Sequence, residues 1–134
     1  MSIATPVILL VLKNLELRQL YHEILINSGW EVVIADEAAK GLLELVSGEV
    51  NLIILDCKLP HGEDERFLKI VSHKPEWRHL PIVLLDYPDR EADFKVDVEN
   101  LNQVKMLTTH QTTPNQLVEL VKNMLSTSSD FVRY

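Results

Sequence analysis

A set of ionisable side chains follows directly behind apolar runs that read as buried strands. Lys13 comes after Val7 to Leu12, Asp56 and Lys58 after Leu52 to Leu55, Asp86 and Tyr87 after Ile82 to Leu85, and His110 shortly after Val104 to Leu107. Two carboxyl groups among cations can form a partly buried ion pair, and Asp56 is expected to pair with Lys13 or Lys58. His110 is placed to exchange a proton with Asp86 or Asp56 around neutral pH. Other chemistries lack their patterns. The histidines His22, His61, His73, His79 and His110 have neither the spacing nor the neighbours of a metal cluster. No glycine-rich phosphate cradle opens a helix, and no nucleophile-elbow pattern gathers Ser, His and Asp into a hydrolase site. An enzyme is therefore not expected. Cys57, the single cysteine, cannot form an internal disulfide and reads as a small buried filler.

The elements that position these residues alternate short apolar runs with stretches of helical period, the signature of βα units around a parallel sheet. The runs Val7 to Leu12, Glu31 to Ala35, Leu52 to Leu55, Ile82 to Leu85 and Val104 to Leu107 predict five strands covered on both faces. Leu17, Leu20, Tyr21, Ile24 and Leu25 predict a first helix that stops at Gly29. Asp36 is expected to cap a second, with Ala39, Leu42, Leu43 and Val46 inward, ending near Gly48. Asp64 is expected to cap a third that buries Phe67, Leu68 and Val71. The stretch Asp89 to Gln103 is highly charged, and only Phe94, Val98 and Leu101 keep a helical spacing, so a short, exposed or mobile helix, or in part a loop, is expected there. Thr113 and Pro114 open the last helix, whose stripe is Leu117, Leu120, Val121 and Met124. With right-handed crossovers this gives a flavodoxin-like, doubly wound five-stranded sheet in the order 2-1-3-4-5, with helices on both faces. The functional crevice of that arrangement lies at the carboxyl ends of the strands, where Leu12, Lys13, Asn14, Asp56, Cys57, Lys58, Asp86, Tyr87 and His110 fall.

Composition fits this plan. At 134 residues, with 46% hydrophobic and 25% charged residues, one domain is expected over residues 1–134, with its core at about 6–125 and a polar tail at 126–134. The net charge of −7 disfavours nucleic acid and anionic membrane surfaces. The run Val7 to Leu12 is too short for a membrane span and lacks the charged start of a secretory signal, so a cytoplasmic protein is expected. Trp30 and Trp77 read as packing residues rather than a ligand-stacking pair.

Leu52 to Pro60, LIILDCKLP, resembles the third strand and phosphoacceptor turn of the response-regulator receiver family, with Asp56 at the phosphoacceptor position and Leu59 in place of its methionine. Val7 to Arg18 is similar to the family's first strand and Asp-Asp-Asn-x-x-x-Arg turn, and Pro81 to Asp86 to its fourth strand. The resemblance runs from Val7 to Leu125. It implies phosphoryl transfer to Asp56, which requires cations to neutralise the transferred group, ordinarily Mg²⁺ held by carboxylates.

Several family positions carry other residues. The two metal-holding acids read Leu12 and Lys13, so magnesium binding is expected to be weak or absent. The hydroxyl that would hold a phosphoryl oxygen is Asp86, and like charges about 4 Å apart cost on the order of 4 kcal/mol at an effective dielectric of 20. The small residue after it is Tyr87, whose ring would crowd the mouth of the site. The phosphate-binding lysine falls on His110, with Thr109 or Thr108 as alternatives, and the aromatic switch residue falls on Leu107. The family's glycine after the Leu-Pro turn falls on Asp64.

The expected function is an atypical receiver, a protein interaction module of phosphorelay signalling that works without Mg²⁺-dependent phosphorylation. Its partner would be a histidine kinase or an output protein, met through Asp89 to Leu125. One alternative keeps Asp56 as a slow phosphoacceptor, with Lys13 supplying part of the metal's charge. Another, from a different class, binds a flavin or other small molecule in the same crevice, against which the missing phosphate-binding loop argues.

Overall fold

Parallel strands with Val, Ile and Leu on both faces must be covered on both sides, and the computed structural model, which describes residues 5–87, 101 and 103–128, builds that arrangement. The strands are β1 (Val7–Val11), β2 (Glu31–Ala35), β3 (Leu52–Asp56), β4 (Ile82–Asp86) and β5 (Val104–Thr108), all parallel, in the order β2-β1-β3-β4-β5. Three of them run one residue past their apolar stretch, because Asp56, Asp86 and Thr108 continue the backbone ladder.

Alternation along the strands divides the core into two layers. Leu9, Val11, Ile53, Leu55, Ile82 and Leu84 face Phe67, Leu68 and Val71. These come from α3 (Glu63–His73), beside which lies α2 (Ala38–Ser47). On the other face Ile8, Leu10, Ile54, Val83 and Leu85 meet Tyr21 and Leu25 of α1 (Leu15–Asn27) and Leu117, Val121 and Met124 of α4 (Pro114–Ser128). Phe67 is fully buried; a side chain of that size contributes roughly 1.5–3 kcal/mol.

Local chemistry fixes most helix ends. Asn14 Oδ1 accepts the Leu17 N–H at 2.9 Å, and Gly29 takes φ +99° just beyond α1, a conformation glycine adopts without a Cβ penalty. Thr113 and Gln116 close a reciprocal capping box: Thr113 N–H donates to Gln116 Oε1 at 2.8 Å and Gln116 N–H to Thr113 Oγ1 at 3.2 Å. The buried stripe of α4 is the expected one, with Leu120 half-buried.

Some helix expectations are corrected. Asp36 does not cap α2; Glu37 holds the cap position, while Asp36 pairs with Lys40 at 2.9 Å one turn on. The inward face of α2 is Ala38, Gly41 and Leu45, with Leu42 at its border, whereas Ala39, Leu43 and Val46 are exposed. Gly41 explains the rotation: a Cβ there would come within 3.0 Å of both Phe67 and Val11, so glycine lets the helix sit closely on the sheet. Leu20 is exposed on α1. Gly62, not Asp64, precedes α3, and Asp64 lies buried in its first turn. Trp30 and Trp77 pack against the two core layers, as expected. The helix expected at Asp89 to Gln103 falls largely outside the described residues.

Candidate functional site

The carboxyl edge of the sheet gathers the residues that the sequence singled out. Asp56 ends β3 with its side chain 2% exposed. The chain turns immediately after it: Cys57 N–H donates to Leu85 O at 3.0 Å, and Lys58 N–H donates to Asp56 Oδ1 at 2.9 Å. Cys57 and Leu59 are buried beside it, with Cys57 in no disulfide. His61 and Gly62 then take positive φ, 59° and 70°, and His61 O accepts a hydrogen bond from Arg66 at 2.7 Å. This sharp turn starts α3.

Tyr87, one residue past β4, reaches the same carboxylate with its hydroxyl. Burial, the charge of Asp56 and the hydrogen bond to Asp56 together push its phenol well above the ordinary range. The Lys58 ammonium stands over the Tyr87 ring, 4.8 Å from its centroid, in a cation–π contact. Asp56 is thus met by a backbone amide and a phenol, and Lys58 is drawn to the aromatic face.

The two positions that follow β1 are separated. Leu12 is fully buried in the layer of Tyr21 and Leu25. Its N–H donates to Ala35 O at 3.0 Å and its carbonyl accepts from Arg18 Nη1 at 3.3 Å. Lys13 is exposed, and Asn14 is committed to capping α1. Mg²⁺ requires oxygen ligands in near-octahedral order. Leu12 and Lys13 supply no side-chain oxygen, and among the described residues no group of three or more His, Cys, Asp or Glu could hold a metal ion. These residues do not fit the ion.

Asp86 is half-buried at the end of β4, opposite Thr108 in the β4–β5 register. Leu107 is buried opposite Leu85, in the layer of Leu117 and Met124. His110 lies in the short 3₁₀ turn Thr109–Gln111 that follows β5.

Asp64 is a member of this region that sequence reasoning read as a cap and as the position of the family's glycine, not as a buried carboxyl. The residue is 4% exposed, and burial raises its pKa to about 6, against backbone hydrogen bonds at Asp64 and Glu65 that lower it. The charges of Glu65 and Asp56 add to the rise. The signal was present in the sequence: Asp64 stands three, four and seven residues before Phe67, Leu68 and Val71, on their face of the helix.

No family model matches the chain. A curated relative, the KDP operon transcriptional regulatory protein KdpE of Escherichia coli, is 29% identical over 86 residues, covering 64% of this chain and 37% of its own length. The chain therefore spans little more than a third of that relative. Among solved structures, the chemotaxis response regulator CheY4 of Vibrio cholerae superposes with a TM-score of 0.76 at 20% identity, over 90% of this chain and 99% of that one. The receiver domain of the sensor histidine kinase PA1611 of Pseudomonas aeruginosa, solved with a magnesium ion in its active-site cleft, gives 0.78 at 17%, over 92% and 99%. The fold is that of the response-regulator receiver domains.

Proposed function

We propose that the chain is a receiver module of two-component signalling that acts as a protein interaction surface, without Mg²⁺-dependent phosphorylation of Asp56. The observation that carries this reading is the burial of Leu12 in the core beside an exposed Lys13, at the two positions where the receiver family it resembles places its metal-holding acids. Tyr87 adds to it by holding the Asp56 carboxylate in a hydrogen bond. A phosphoryl group arriving there would have to displace the phenol from Asp56.

The partner in this reading is a histidine kinase or an output protein of the pathway, met in the cytoplasm through the β5–α4 face. That face carries a half-exposed Met106 and a cleft bordered by Thr108, Gln111, Gln116 and Leu120. A net charge of −7 argues against nucleic acid as the partner. No helix among the described residues is long and apolar enough to cross a membrane.

Incubation with radiolabelled acetyl phosphate and Mg²⁺ tests the reading. The wild type is expected to take up no label beyond the background of Asp56→Asn. Label present in the wild type and absent from the variant would establish Asp56 as a slow phosphoacceptor instead.

A further inference from the structure

The exposed face of α2 and the flank of α3 beside it form a seam unrelated to Asp56. Leu43 and Val46 are 66% and 71% exposed, the largest exposures among the exposed large hydrophobics of the described residues, and Ile70 on α3 is 39% exposed. Glu63, at the start of α3, accepts the Ala38 N–H at 3.3 Å, and Val46 and Lys74 border one cleft near the other end. Both ends of this α3 flank therefore adjoin α2. Ile70 is seven residues after Glu63 and four before Lys74, and so stands on the same flank. Ala39, Leu43 and Val46 form the matching edge of α2, at spacings of four and three residues.

Charge distinguishes the α3 side of this seam from the rest of the molecule. In a chain of net charge −7, residues 66–79 carry four cations, Arg66, Lys69, Lys74 and Arg78, against the single acid Glu76, and all five are exposed. An apolar strip running along two helices and rimmed by cations on one side, with Glu37 and Glu44 on the α2 side, is the complement of an amphipathic helix with one acidic flank. α3 spans 11 residues, about 16 Å at 1.5 Å per residue, which accommodates an apolar triad at i, i+4 and i+7.

The geometry points to the α2–α3 seam as a docking surface for an acidic amphipathic helix of a partner protein. The apolar strip supplies the anchor sites, and the cations on α3 set partner choice and speed encounter. A membrane or nucleic acid fits less well, because the remainder of the surface is acidic and would repel either polyanion.

A synthetic helical peptide with leucines on one face and glutamates along one side of it serves as the probe, followed by amide shifts of the intact chain. Binding is expected to perturb α2 and α3, to weaken tenfold or more in the double variant Leu43→Ser with Val46→Ser, and to weaken likewise in Lys69→Glu with Lys74→Glu. Both pairs are surface changes, and unchanged thermal midpoints would show that the fold is kept. The idea is overturned by perturbation centred elsewhere, by equal binding of a scrambled peptide of the same composition, or by no binding at millimolar peptide. Tighter binding to phosphatidylserine vesicles or duplex DNA than to the peptide overturns it as well.

Discussion

The Tyr87 hydroxyl donates a hydrogen bond to the Asp56 carboxylate, and the Lys58 ammonium covers the same ring at 4.8 Å. The three residues form one unit in which a phenol holds the Asp56 carboxylate. A hydrogen bond to a charged group contributes about 1.5–3 kcal/mol, and its loss leaves the 2%-exposed Asp56 with one donor fewer. Tyr87→Phe should therefore destabilise the domain by about that amount, read as a lower urea midpoint at unchanged slope. The raised phenol also implies a pH dependence. Tyr87 contributes stability that is fully present below its ordinary value of 10.0 and is lost as pH rises above it. The fall in stability above about pH 10 should be shallower in Tyr87→Phe, with Tyr21, also raised by burial, accounting for part of what remains.

Asp64 predicts an effect at the acid end. Its pKa rises from 3.8 unfolded to about 6 folded, so the folded state favours the protonated form. The contribution is fully present below 3.8 and is lost as pH rises through about 6. A shift of that size corresponds to roughly 3 kcal/mol. Asp64→Asn keeps the shape and removes the charge, and it should stabilise the domain by about 2 kcal/mol at neutral pH, with little gain near pH 4. Urea titrations of both proteins at the two pH values measure this; equal midpoints at neutral pH would contradict it.

Gly41 predicts a packing effect. A Cβ there meets Phe67 and Val11 at 3.0 Å, and both are fully buried. Gly41→Val should cost about 1–3 kcal/mol by overpacking, despite the poor helix propensity of glycine. Thermal unfolding reads the loss, and Phe67→Leu in the same chain should recover part of it.

The sheet was legible because runs of Val, Ile and Leu leave little choice but a strand covered on both faces. The strand ends were less so, since Asp56, Asp86 and Thr108 are polar yet keep the ladder going. The α2 face was misread because its inward side begins with Ala38 and Gly41, which carry little hydrophobic signal, while Leu43 and Val46 carry much and face out. Position along the strands brought Asp56, Lys58 and Tyr87 to one edge in the sequence reading. Which partner each would choose was not legible, because a lysine can reach a carboxylate or an aromatic face, and spacing alone does not put the Lys58 ammonium over the Tyr87 ring.

The central claim, that Asp56 lies in a site without magnesium-dependent phosphoryl chemistry, is tested most directly by amide spectra during addition of Mg²⁺ and then beryllofluoride, a phosphoryl mimic. Leu12 and Lys13 supply no side-chain oxygen for such binding, so the amides of Asp56, Lys58 and Leu107 should not move beyond the change given by equal ionic strength. A saturable shift at these amides in the wild type, absent from Asp56→Asn, would contradict the account.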